Sequence, residues 1–126
     1  MDLRIGSTVV SVRDVPRAVE FWTAALGYVV RDGQIDEDFT VLAPPDGGWS
    51  NLSVQRSESP PSRPNRLHLD LYAEDQDAEV ERLLALGAAR PPWDYPADAD
   101  FVVLTDPDGN EFCVIAKGAS ASAPAE

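Results

Sequence analysis

Basic residues are scarce: 10 Lys and Arg stand against 22 Asp and Glu, for a formal net charge of −12 over 126 residues. A surplus of that size repels phosphate backbones and anionic lipid, so neither nucleic acid nor a membrane surface is an expected partner. Cysteine occurs once, at Cys113, so an internal disulfide is excluded. No apolar run approaches the ~20 residues a membrane-spanning helix requires. Met1-Asp2-Leu3-Arg4 lacks the apolar centre of a secretory signal, and the expectation is a cytoplasmic protein. Histidine is also single, at His68. What remains is a chain of one domain's length, able to bury roughly 65–70% of its unfolded surface without disulfides or a structural metal.

The lone histidine sits in a patterned stretch, Arg66-Leu67-His68-Leu69-Asp70-Leu71-Tyr72. Strict alternation marks a half-buried strand, because successive side chains leave a strand on opposite faces. Leu67, Leu69 and Leu71 share one face, and His68, Asp70 and Tyr72 share the other. Such a polar face either lines a site or meets solvent.

The remaining elements follow the same logic. Thr8 to Val12 is rich in β-branched residues and reads as a strand, followed at once by a helix start with Asp14 as cap and Pro16 in the first turn. Val15, Val19, Trp22 and Leu26 recur on one helical face, and Gly27 supplies the stop. Strands are predicted at Tyr28–Arg31, Phe39–Leu42 and Asn51–Gln55, with a turn cluster at Pro44–Gly48. The composition of Arg56–Asn65 (RSESPPSRPN) marks a linker. Beyond the His68 strand, Glu74 to Asp77 opens a second helix with Val80, Leu83 and Leu84 inward and Gly87 as its stop. A short strand at Ala88–Arg90, a loop at Pro91–Pro96, strands at Phe101–Leu104 and Glu111–Ile115, and a turn at Asp106–Gly109 complete the order.

The order repeats. Gly27 and Gly87 lie 60 positions apart, the two Pro-Asp-Gly turns 62, Ser7 and His68 61, and Asn51 and Glu111 60. Constant spacing across strand, helix stop and turn indicates two copies of one supersecondary unit.

Three stretches carry a resemblance. They are Val12-Arg13-Asp14 running through Ala18–Trp22 to Leu26-Gly27-Tyr28, then His68-Leu69-Asp70-Leu71, then Asp106-Pro107-Asp108-Gly109-Asn110-Glu111-Phe112. In order and spacing the chain resembles the vicinal-oxygen-chelate superfamily, which includes glyoxalase I, bleomycin-resistance proteins, fosfomycin-modifying enzymes and extradiol dioxygenases. The resemblance covers residues 3–117. It implies an α+β fold, with two repeated βαβββ modules whose mixed sheets curl around a shared cavity with the helices outside. Module one is expected at 3–57, a linker at 58–65 and module two at 66–117, forming one glyoxalase-like domain over 1–117 with a disordered tail at 118–126. Homodimerisation is a further implication.

Metal-using members take ligands from the first and last strand of each module. Carried over, those positions are Ser7, Asn51, His68 and Glu111. His68 and Glu111 match as metal ligands and catalytic residues, whereas Ser7 and Asn51 are neutral and seldom bind transition metals. Asp70 is a candidate third ligand on the face of His68. The alternative is a histidine hydrogen-bonded to Glu111 or Asp70 without metal, its pKa raised by a neighbouring carboxylate. Further candidate ligand-binding residues are Ser53, Tyr72, Cys113, Trp49 and Trp93; Phe39 and Tyr95 are loop-borne aromatics of the same kind, which either rim a pocket or cover sheet edges. Trp22 is expected in the core, and Cys113 is expected as a small buried side chain rather than a nucleophile.

Two functional classes follow. One is a metal-free protein binding a small organic metabolite or drug, cationic or aromatic, against His68 and Glu111, with no cofactor. The other is a lyase, isomerase or dioxygenase in which these residues hold Zn, Fe, Mn or Ni and polarise vicinal oxygens of a small metabolite. A ligand-sensing accessory domain is a third, plainer outcome.

Overall fold

The computed structural model describes residues 5–48, 50–60 and 68–117. Trp49, Arg66, Leu67, part of the expected linker and the tail at 118–126 lie outside the described residues. The chain separates into two compact units, Met1–Pro61 and Ser62–Glu126.

In the first unit the order is β1 (Ser7–Val12), α1 (Val15–Leu26), β2 (Val29–Val30), β3 (Phe39–Ala43) and β4 (Asn51–Arg56). The helix begins where Asp14 accepts a hydrogen bond from the Arg17 amide at 3.1 Å, which satisfies one of the unpaired first-turn donors. It ends at Gly27, whose φ of 70° is the left-handed conformation that costs glycine least. Val15, Val19 and Trp22 are buried as the periodicity predicts. Phe21 joins them, set edge-on to Trp22 with ring centres 4.9 Å apart, while Leu26 at the last turn is only partly covered. The helix packs on β2, β3 and β4.

The sheet order is β1-β4-β3-β2, with β1 parallel to β4 and the other neighbours antiparallel. Leu42, Leu52 and Val54 are buried in this sheet.

The second unit contains β5 (Leu69–Ala73), α2 (Gln76–Leu86), β6 (Phe101–Thr105) and β7 (Glu111–Ala116). Its order is β5-β7-β6, with β5 parallel to β7 and β6 antiparallel to it. Asp75 caps α2 by accepting from the Ala78 amide at 3.1 Å, and Val80 and Leu83 are its buried residues. The Gln76 side chain reaches out of the first turn to donate to the carbonyls of Asp100 and Val114, tying α2 to β7 and the start of β6.

The strand expected at Ala88–Arg90 is reduced to a single bridge, Ala89 to Thr105. Pro91 and Pro92 follow directly and have no amide hydrogen with which to extend a ladder. That bridge occupies the place β2 holds in the first unit, so the two units share one topology. Both Pro-Asp-Gly turns also close alike, Gly47 donating to the Pro44 carbonyl and Gly109 to that of Asp106.

The fold is therefore α+β, with two helices and two mixed sheets of four and three strands. No helix among the described residues is long and apolar enough to cross a membrane.

Candidate functional site

Pairing between β5 and β7 fixes what the polar face of the second unit presents. Leu69 pairs with Phe112, Asp70 with Cys113 and Leu71 with Val114. Because paired residues share a face, Asp70 and Tyr72 stand beside Cys113 and Ile115, while Phe112 and Val114 turn to the opposite side and are buried. His68 immediately precedes β5 and Glu111 begins β7, which places them at the head of the same face. On β6, Val103 and Thr105 pair with Cys113 and Glu111 and complete it.

The histidine's partner is Asp70. His68 Nε2 lies 3.0 Å from Asp70 Oδ1, with both side chains about half exposed. The donor atoms of His68, Asp70 and Cys113 all lie within 4.8 Å of one another, and Glu111 stands outside that group. Burial pushes the Cys113 thiol up from its ordinary pKa, and the negative charges of Asp70 and Glu111 push in the same direction. Cys113 is therefore a protonated thiol at neutral pH, and it is partly covered rather than buried as expected.

The described candidate aromatic residues are not buried. Tyr72 is exposed, with the Lys117 ammonium 5.7 Å from its ring centre. Trp93 and Tyr95 are exposed in the loop before β6. The Tyr95 hydroxyl accepts from the Val103 amide at 2.8 Å, and its ring lies 5.5 Å from that of Phe101, so this tyrosine is held by its loop as well as displayed. Phe39 is exposed at the start of β3, and Trp49 lies outside the described residues.

The first unit repeats the register but not the chemistry. Ser7 pairs with Asn51 and Thr8 with Leu52, the same step that Leu69 and Phe112 make in the second. The Ser7 and Ser53 hydroxyls share a hydrogen bond at 2.6 Å, and Ser53 is fully buried. Asn51 Oδ1 is buried with no hydrogen-bond partner among the described residues. This unit thus offers a hydroxyl already engaged by a second hydroxyl, together with a neutral amide. Tyr28 was not singled out by sequence, yet its hydroxyl donates to the Ser50 carbonyl at 2.7 Å beside this pair's strand, and burial, then Asp46, raises its pKa.

The comparisons with known proteins agree with this architecture. The glyoxalase-like domain family matches residues 7–115. A glyoxalase/bleomycin resistance protein/dioxygenase family enzyme from Burkholderia phytofirmans PsJN has a similar fold. Its TM-score is 0.69 at 18% identity, over 89% of this chain and 97% of that one. The bleomycin-binding protein of Streptomyces verticillus, solved with copper(II)-bleomycin, aligns at TM-score 0.63 and 22% identity over 93% of this chain and 98% of its own. TnmS3, an antibiotic binding protein from Streptomyces sp. CB03234, aligns at TM-score 0.62 and 23% identity over 91% and 97%. Among curated proteins, none matches the chain in sequence. The repeated strand-helix-strand order, the copied register and the match across nearly the whole described chain place it in the glyoxalase-like domain family, within the vicinal-oxygen-chelate superfamily.

Proposed function

We propose that this chain is a small-molecule-binding protein whose binding does not depend on a metal at the family's four ligand positions. The observation that carries this reading is the first-unit pair. Ser7 is hydrogen-bonded to the buried Ser53, and Asn51 supplies only a neutral amide oxygen. A hydroxyl and an amide lack the charge and basicity with which imidazole and carboxylate hold zinc, iron, manganese or nickel, so no catalytic step is routed through such an ion.

The ligand is held against the polar face of the second unit. Asp70 and Glu111 supply negative charge, the exposed rings of Tyr72 and Trp93 supply apolar and π surface, and His68 and its Asp70 partner supply a hydrogen-bonding pair. That combination suits a cationic or aromatic organic molecule. The antibiotic-binding proteins of similar fold support the same class of ligand.

The test is a tryptophan-fluorescence titration of chelator-treated protein against a panel of cationic aromatic compounds. At least one saturating trace is expected, weakened in Glu111→Gln. Flat traces throughout would remove the reading.

A further inference from the structure

We propose that His68, Asp70 and Cys113 form a site for a divalent cation of the zinc class on the second unit, using one imidazole nitrogen, one carboxylate oxygen and one sulfur. This site differs from the family's ligand positions, since it replaces Glu111 with Cys113 and takes nothing from the first unit. It does not rest on the small-molecule reading.

The three donor atoms lie close enough to converge on one ion. With metal–nitrogen and metal–oxygen bonds of about 2.0–2.2 Å and a metal–sulfur bond of about 2.3 Å, tetrahedral donors lie roughly 3.3–3.6 Å apart. His68 Nε2 and Asp70 Oδ1 are 3.0 Å apart, and the three donor atoms fall within 4.8 Å of one another. Closing the triangle therefore needs about an ångström of side-chain movement. His68 stands just before β5 and is half exposed, which leaves room for its ring to move while it stays beside Asp70. The backbone beneath the other two is fixed, because Asp70 and Cys113 are direct partners in the β5–β7 ladder.

The donor chemistry selects the ion. Calcium and magnesium prefer oxygen, whereas a set of nitrogen, sulfur and one carboxylate suits zinc and its neighbours. As the sulfur–metal bond forms, the thiol proton leaves to solvent, and the imidazole binds as a neutral base through Nε2 while its proton resides on Nδ1. Thiolate and carboxylate together neutralise the two positive charges, and Glu111 adds negative potential at the sulfur. Three protein ligands leave a fourth position open to water or a small donor molecule.

Cobalt(II) is the probe, because its bond to thiolate is visible by absorption. The full chain, stripped with chelator and kept reduced with a phosphine, is titrated with cobalt and then with zinc. One cobalt per chain is expected, with a sulfur-to-cobalt charge-transfer band and tetrahedral visible bands that zinc abolishes. Cys113→Ser should remove the charge-transfer band. His68→Ala and Asp70→Asn should weaken binding by at least the ~10–100-fold that loss of even an outer-shell partner costs. Glu111→Gln should leave the band in place, and circular dichroism of each variant reports its folding. No saturable band, a band that survives Cys113→Ser, one cobalt per two chains, or loss of the band in Glu111→Gln would each overturn the proposal. None of these outcomes bears on the fluorescence titration, which is run without metal.

Discussion

Asp106 is the most informative residue to perturb, because it holds the turn that delivers β7 to the candidate site. It is only 3% exposed. Its Oδ1 accepts from the amides of Asp108 at 3.0 Å and Asn110 at 2.8 Å, and its Oδ2 accepts from the Asn110 side-chain amide at 3.2 Å. The backbone closes around it, Asp106 donating to the Asn110 carbonyl and Gly109 donating to that of Asp106. Asp106→Ala removes these carboxylate contacts to the Asp108 and Asn110 amides and to the Asn110 side chain. Hydrogen bonds to a carboxylate are worth about 1.5–3 kcal/mol each. The donors at Asp108 and Asn110 are partly exposed, so water recovers a share, and the expected loss is about 2–4 kcal/mol. Against a total stability of about 5–15 kcal/mol this is a large fraction.

Equilibrium urea unfolding is the assay. With a slope of about 1–3 kcal/mol per molar urea, the midpoint should fall by roughly 1–2 M. Asp106→Asn keeps one oxygen for the Asp108 and Asn110 amides and should cost less than half as much. A midpoint for Asp106→Ala within ~0.3 M of the parent, or an asparagine variant as damaged as the alanine one, would refute the view that the carboxylate organises the turn.

Two further outcomes follow from the same structure. Cys113 in chelator-treated protein should react with iodoacetamide along a pH profile whose midpoint lies above that of the urea-unfolded chain, and Asp70→Asn should lower it. Since the folded-state pKa is the higher one, the thiol's contribution to stability is intact below the unfolded pKa and is lost as pH rises through the folded one; a folded midpoint at or below the unfolded one would contradict this. Trp22→Ala removes a ring that is 1% exposed and stacked edge-on against Phe21, and should cost about 3–5 kcal/mol in the same urea assay. A loss under ~1 kcal/mol would mean the α1 face is not the core of the first unit.

Local rules acting on neighbouring residues made much of the fold legible. Asp14 with Pro16 announces a helix start because a side-chain oxygen must satisfy first-turn amides, and the acidic run Glu74–Asp77 announces another because negative charge suits the helix N-terminus; the structure forms the Asp14 cap and adds one at Asp75. Gly27 and Gly87 announce the ends because both take positive φ, 70° and 121°. Alternation put His68, Asp70 and Tyr72 on one face, since the period of a strand is two whatever surrounds it. The constant spacing between halves gave the repeat, and the structure shows it as a copied topology and register. Where local preference met a local veto the reading failed, as at Ala88–Arg90, where the prolines that follow reduce a strand to one bridge.

The chemistry of the site was decided elsewhere. Sequence placed Cys113 two residues from Glu111, and nothing local says which residue of β5 stands across from it. The ladder does, setting Asp70 opposite Cys113 and so gathering a thiol, a carboxylate and the single imidazole within 4.8 Å. The same ladder in the first unit set Ser7 beside the buried Ser53, which turned a substituted ligand position into a closed hydroxyl pair. Sequence alone determined the elements, their order and the identity of the groups they carry, because those depend on residues a few positions apart. Only the tertiary structure decided which groups meet, because strand register joins residues more than forty positions apart.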